Sequence, residues 1–309
     1  MHHEQPHWLT YVALITAVVG WGSSFVATKV ALETLRPATL IFFRLAFAAG
    51  FFAVLLHARR SKPGMRGARA PLREFIPRLV LLSLFEPIAY FLLETEGIAR
   101  TSASSASLVV ASIPVLVAIV ARIVLHERLD SRGWAGTLVS LAGVVLLVVG
   151  DNNPDYADSS LVGNLLVFGA ALSAAGYIVT ARSLSGRVDP VSMTFVQMVT
   201  GALFFLPLFA ANMIRFGAPE ITPRVAVAFG FLALAATVVA FLSYNYALSR
   251  IPAGKAAVFI NGIPLVTVIV ASVLIAETLS AVQAIAGIVI VGGVALTTIR
   301  SRSAAAESR

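Results

Sequence analysis

Residues 100–145 read RTSASSASLVVASIPVLVAIVARIVLHERLDSRGWAGTLVSLAGVV, and residues 250–295 read RIPAGKAAVFINGIPLVTVIVASVLIAETLSAVQAIAGIVIVGGVA. The second stretch repeats the first without a gap. Arg100, Ala103, Ala106, Ile113, Pro114, Glu127, Leu129, Gly143 and Val144 recur as Arg250, Ala253, Ala256, Ile263, Pro264, Glu277, Leu279, Gly293 and Val294. A long internal repeat at a constant shift predicts two similar halves, and it has to be recognised before any other reading of the fold.

The medium around those halves follows from composition. The chain of 309 residues is 58% hydrophobic and 12% charged, with a mean hydropathy of +0.89. Long apolar runs such as Leu79 to Leu93, interrupted only by Ser83 and Glu86, or Leu161 to Ala181, with only hydroxyls and Asn164, leave no face for water, so the chain reads as an integral membrane protein with the bilayer as a partner. Cysteine is absent, which excludes disulfides, thiolate catalysis and cysteine-held metal centres. His2, His3, His7, His57 and His126 sit in the N-terminal tail or beside loops, so no metal site is expected, and His2 and His3 suit an expression remnant as well as a native role. The net charge of +8 falls at the ends of apolar segments, which points to orientation in a membrane rather than to nucleic acid. No cleavable signal stands out, because the first apolar segment runs on into Trp21 to Leu32.

At about 20 residues per crossing, ten transmembrane helices are predicted. They run near Trp8 to Ala31, Ala38 to His57, Ile76 to Ile98, Ser102 to Leu125, Gly133 to Val149, Leu161 to Ser183, Val191 to Met213, Val225 to Leu248, Ala253 to Ala276 and Ala281 to Ile299. A membrane barrel is excluded, since its strands are alternating segments of about ten residues. With the N-terminus inside, seventeen of the 23 Lys and Arg residues fall inside and five outside, with Arg44 within a helix. That bias predicts cytoplasmic N- and C-termini in an inner or plasma membrane.

Five helices per repeat is an odd number, so the second copy crosses in the opposite sense. The expected fold is therefore an all-α membrane protein of ten helices in two inverted five-helix repeats. The first occupies 8–150, an acidic outer linker 151–160, the second repeat 161–300 and a cytoplasmic tail 301–309. The early parts of the halves agree at a shift of 153, with Lys29, Pro37, Phe42, Phe51 and Phe52 matching Arg182, Pro190, Phe195, Phe204 and Phe205. Inverted repeats are a common construction of secondary transporters, whose substrate sits near the midplane where the repeats meet.

Trp21-Gly22-Ser23-Ser24-Phe25 and Lys29, Pro37 and Arg44, Phe85-Glu86-Pro87 with Tyr90, and Thr101-Ser102-Ala103 through Pro114 to Glu127-Arg128-Leu129 occur in that order, followed by Gly136 and Gly143. In these residues nearly the whole chain resembles the drug/metabolite transporter superfamily, with two tandem domains of the EamA type. The resemblance implies a ten-helix exporter of amino acids, related metabolites or drugs, with the fifth and tenth helices peripheral to the cavity. It implies no cofactor. The second half departs from the first, with Ala236 in the place of Glu86 and Gln197 in the place of Arg44.

The candidate site follows from polar groups at depth. Glu86 lies about ten residues, or about 15 Å, into its helix, where a carboxylate is costly unless paired, hydrated or protonated. It would bind a substrate ammonium or carry a coupling proton; the alternative is a neutral or paired structural acid beside Pro87. Tyr90 and Glu94 follow at i+4 and i+8 and share its face. Glu94 and Glu96 lie nearer the outer end. Arg44 would hold a substrate carboxylate or pair with Glu86, and Gln197 is its uncharged counterpart. Tyr244, Asn245 and Asn261 are the polar groups of the second half, and helix-to-helix hydrogen bonding is the competing use of Asn261. Trp21 and Tyr177 would stack on a substrate ring or simply pack. Pro114 and Pro264 would kink their helices as hinges or as static bends. Glu127 and Glu277 are read as caps of the helix that follows each, and Gly133, Gly136, Ser140 and Gly143 as a packing stripe, within the chain or in a homodimer.

The functional expectation is an exporter of a small metabolite, an amino acid or similar zwitterion, driven by the substrate's own gradient or by protons. A multidrug exporter is the nearest alternative, and a receptor or assembly subunit the next. An intramembrane enzyme lacks support, since the membrane segments hold no His to serve as base and no phosphate loop occurs.

Overall fold

Inside a bilayer every backbone donor and acceptor must be paired within the chain, and apolar runs of this length satisfy that as helices. The computed structural model describes residues 7–60, 72–124, 131–150, 160–184, 187–248, 250 and 259–298. Among these there is no strand. The helices are α1 (His7–Ala31), α2 (Pro37–Arg60), α3 (Arg73–Ile98), α4 (Ala103–Val124), α5 (Ser131–Gly150), α6 (Ser160–Leu184), α7 (Pro190–Phe216), α8 (Pro223–Leu248), α9 (Ile263–Ile275) and α10 (Ala281–Thr298). The first eight are long and apolar enough to cross a membrane, and α9 and α10 are shorter apolar helices. The expectations for His2, His3, Glu127, the linker at 151–159 and the tail at 301–309 lie outside the described residues, as do residues 253–258 at the expected start of α9.

The packing repeats with the sequence. Helix α1 lies against α8 and α9 of the second repeat, and α6, its counterpart, lies against α3 and α4 of the first. Helix α2 pairs with α7, and α5 with α10. Exchanging the repeats leaves this scheme unchanged, as an inverted repeat requires. Apolar side chains such as Val54, Leu203, Val227 and Ile288 are exposed on the outside of the bundle, while Arg44, Glu86, Glu94 and Gln197 are buried within it. Polar groups face inward because the surrounding solvent is lipid.

Helix α4 is interrupted between Ala103–Val110 and Ile113–Val124, at Ala111 and Ser112. The described part of α9 shows the matching turn at Asn261 and Gly262, directly before Ile263 and Pro264. The two prolines thus begin new helical segments, where a missing N–H costs least. Helix α3 is broken by a widened turn over Leu84–Ala89, and α8 carries the corresponding widened turn over Phe231–Val239.

Glu277 departs from expectation. Its Oε1 accepts from Ser104 N at 2.8 Å and its Oε2 from Ala103 N at 3.1 Å, so it caps α4 of the opposite repeat. The following helix, α10, has its own capping box, in which Ser280 Oγ accepts from Gln283 N and Gln283 Oε1 from Ser280 N. At the same end of the bundle Lys29 Nζ donates to Ile98 O at 2.8 Å, the last carbonyl of α3, and to Thr101 O at 2.6 Å in the turn that follows. The Glu277 bonds join the α3–α4 turn to the second repeat, and those of Lys29 tie the same turn to α1. Replacing Glu277 with Ala leaves two first-turn amides without this acceptor, and a loss of about 1–2 kcal/mol is expected, read as a lowered melting temperature of the detergent-solubilised protein. A variant that melts with the wild type would mean that water serves those amides equally well.

The small-residue stripe of α5 is used inside the chain. Gly143 packs against Ile290, and Gly293 against the backbone at Gly136 and Ser140, so α5 and α10 meet at backbone distance.

Candidate functional site

Seven helices converge on a central cavity of about 50 Å³, and the residues that matter chemically are Trp21 of α1, Arg44 of α2, Glu86, Tyr90 and Glu94 of α3, Tyr177 of α6 and Tyr244 of α8. Apolar side chains of α4 and the α9 segment, Val110, Ile113, Ile260 and Ile263, complete the wall. Helices α5 and α10 contribute nothing to it. A volume of this size admits a few water molecules. A metabolite therefore needs the repeats to part before it can enter.

The polar floor is built by the break in α3. Pro87 supplies no N–H, and Glu86 has the extended backbone angles φ −147°, ψ 120°, so the helical ladder stops there. The sequence places Glu86, Tyr90 and Glu94 on one continuous helix face; the structure brings all three to the cavity, but with Glu86 on the broken turn. Its carboxylate, in a residue only 8% exposed, makes no hydrogen bond or ion pair among the described residues. The freed carbonyls are held instead. Ser173 Oγ of α6 donates to Phe85 O at 2.8 Å, and Gln197 Nε2 of α7 donates to Glu86 O at 2.7 Å.

The α8 break is held in the same way from the first repeat. Trp21 Nε1 donates to Ala236 O at 3.2 Å, and Arg44 Nε and Nη2 donate to Thr237 Oγ1 at 3.3 and 3.2 Å. Thr237 Oγ1 in turn donates to Leu232 O. Of the two expected uses of Arg44, the ion pair with Glu86 is not formed. Arg44 is engaged by Thr237 and lies 4.6 Å over the Phe91 ring, a favourable cation–π distance, and the carboxylate that acts on it is Glu94. Glu94 Oε1 accepts from Tyr90 Oη at 3.0 Å. Glu96 lies outside the cavity and pairs with Arg100.

Trp21 packs on Tyr244 and edge-on to Phe241, at ring distances of 5.0 and 5.5 Å, so it is both a wall of the cavity and part of the packing. The Tyr244 hydroxyl is buried without a partner among the described residues. Tyr177 Oη donates to Asn245 Oδ1 at 3.4 Å, and Asn245 Nδ2 to Thr194 Oγ1 at 3.1 Å, which makes Asn245 a support behind the wall. Asn261 is not brought to the centre. It lines a separate, mostly apolar groove with Pro264, Leu265 and Gln283.

Sequence reasoning did not single out Ser173, Thr237, Phe91 or Phe241. One signal was available for Thr237, because the shift of 150 sets it opposite Pro87, at the break. Ser173 is one hydroxyl among the small residues of an apolar run and carried none. Among the described residues no group of His, Asp or Glu is placed to hold a metal.

The model of the EamA-like transporter family matches residues 8–149 and again 161–299, one match for each repeat. The chain belongs to that family. An uncharacterized transporter of Archaeoglobus fulgidus is 28% identical over 270 residues, covering 87% of this EamA-like chain and 91% of the relative. The probable terminal-alkyne amino-acid exporter of Streptantibioticus cattleyicolor is 27% identical, covering 94% of this chain and 93% of that one. A solved crystal structure with 22% sequence identity superposes with a TM-score of 0.62 over 96% of this chain and 98% of that chain, a likeness of fold. An EamA-like transporter of two repeats implies a small-molecule substrate and a multi-pass place in the lipid bilayer.

Proposed function

We propose that this protein moves a small zwitterionic metabolite of the amino-acid class out of the cell, across the inner or plasma membrane, with both termini cytoplasmic. The observation that carries the reading is a carboxylate, Glu86, unpaired among the described residues and lining a small cavity whose wall also holds the guanidinium of Arg44. A substrate ammonium satisfies the first, and its carboxylate faces the second. Trp21, Tyr90, Tyr177 and Tyr244 supply aromatic surface between them. The S. cattleyicolor relative, by its name a probable exporter of an amino acid, supports the substrate class.

In this reading the repeats, 8–150 and 161–300, are joined by an outer linker at 151–160 and followed by a cytoplasmic tail at 301–309. They rock about the central site, with the interruptions before Pro114 and Pro264 as hinges. The cavity volume supports alternating access, because no continuous path for a metabolite is needed in any one state. Two drivers fit, the substrate's own gradient and proton exchange through Glu86.

The test is uptake by the purified protein in liposomes of a panel of labelled amino acids and small metabolites, with and without an imposed pH gradient. Accumulation of a zwitterion only with the gradient assigns proton exchange, and equilibration regardless of pH assigns the substrate's own gradient. If no amino acid crosses while the protein is folded, the substrate class is wrong.

A further inference from the structure

The two breaks are each held from the opposite repeat, at matching or immediately neighbouring positions. Gln197 aligns with Arg44 at the shift of 153, and Glu86 and Pro87 align with Ala236 and Thr237 at the shift of 150. The second-repeat helix α7 places Gln197 on Glu86 O, and the first-repeat helix α2 places Arg44 on Thr237. Likewise α6 places Ser173 on Phe85 O, and α1 places Trp21 on Ala236 O. One of the two breaks carries a carboxylate. At that break the holding groups are both neutral, an amide and a hydroxyl; at the break with Ala236 one is an indole and the other a guanidinium.

We propose that Gln197 and Ser173 are positioning residues for Glu86: the second repeat fixes the backbone on either side of that residue, aims its carboxylate into the cavity, and does so without adding a charge that would neutralise it. The proposal rests on the reading of Glu86 as the group that meets the substrate. Both residues are buried, Gln197 fully, and neither donates to the carboxylate itself. The bonds cross between repeats, so any motion of one repeat against the other acts on the Glu86 backbone. An arginine at position 197 would bring to this break the guanidinium that Arg44 brings to the other, within reach of Glu86. The two sides of the cavity are then unlike by construction, one presenting an uncompensated carboxylate and the other a cation.

The experiment is a double-mutant cycle on exchange rate in liposomes, with the amino acid that the wild type transports best as probe. Gln197→Met keeps length and burial but removes the donor to Glu86 O. We expect about a tenfold loss of rate, the effect of one lost buried hydrogen bond, in the wild-type background and none in the Glu86→Gln background. A purely structural role would reduce rate by the same factor in both backgrounds, since independent effects add, and would overturn the proposal. Ser173→Ala should behave like Gln197→Met, and Ser173→Thr, which keeps the hydroxyl, should restore the rate. That pair serves as the same test if Gln197→Met does not fold. Should Glu86→Gln itself transport at the wild-type rate, the underlying reading of Glu86 fails; should it be slow while the cycle is additive, only the positioning role fails.

Discussion

Glu86→Gln is expected to lower the exchange rate of the transported zwitterion by about ten- to a hundredfold, with the protein folded and its melting temperature near that of the wild type. The magnitude is that of one charge-assisted hydrogen bond lost, about 1.5–3 kcal/mol. The fold should survive because the carboxylate holds nothing in place; the bond that fixes the α3 break is made by the Glu86 backbone carbonyl, which glutamine retains. The two possible drivers separate in this one variant. If Glu86 carries the proton besides meeting the substrate, the variant's slowed exchange continues but accumulation under a pH gradient is lost. If Glu86 binds the ammonium, exchange itself falls and KM rises. Glu94 is the control within the same cavity. Its Oε1 already accepts from Tyr90, and Glu94→Gln keeps that acceptor, so its effect should be the smaller one. A Glu86→Gln protein that transports like the wild type, with Glu94→Gln the slower, would transfer the role from one carboxylate to the other.

The fold was legible because it is written twice. The shift of 150 in Arg100 to Val145 gave the repeat, the odd helix count gave the inversion, and Pro114 and Pro264 marked interruptions that the structure places at Ala111–Ser112 and Asn261–Gly262. Depth in an apolar run pointed to Glu86, helical spacing to Tyr90, and the alignment of the repeats to Tyr177 and Tyr244, and all four line the cavity. Contacts between the repeats were less legible. Glu277 was expected to serve the next helix and instead serves α4, since a carboxylate beside a helix end is drawn to whichever free amides the fold brings near, and sequence separation says nothing of those. For Arg44 a pair with Glu86 was one of two expected uses, on grounds of charge alone. Geometry sends it to the α8 break, because α2 faces α7 and α8 across the bundle. The same symmetry that aligned Arg44 with Gln197 contained that answer, since it sets both opposite a break in the other repeat.

Gly293→Val is expected to be the most destabilising substitution away from the cavity, at about 3 kcal/mol, the upper range for overpacking. A Cβ at Gly293 would lie 2.3 Å from Ser140 N and 2.7 Å from Gly136 O, so the clash is with backbone and no side-chain rotation relieves it. The helices α5 and α10 would have to separate, and Gly143, whose own Cβ would meet Ile290 N at 2.9 Å, shows that the contact is close from both sides. Within lipid, helices associate largely through such packing, so separating them removes the interaction rather than exchanging it for another. The neighbouring Gly292 has nothing within 4 Å of its Cβ position, and Gly292→Ala should leave stability unchanged or raise it slightly. Melting of the two detergent-solubilised variants side by side reads the difference. Because α5 and α10 contribute no residue to the cavity, Gly293→Val protein that remains folded at low temperature should transport at the wild-type rate per molecule. Equal melting of the two variants would show that the α5–α10 pair gives way without loss. A folded Gly293→Val protein with slowed transport would show that this peripheral pair takes part in the motion of the repeats.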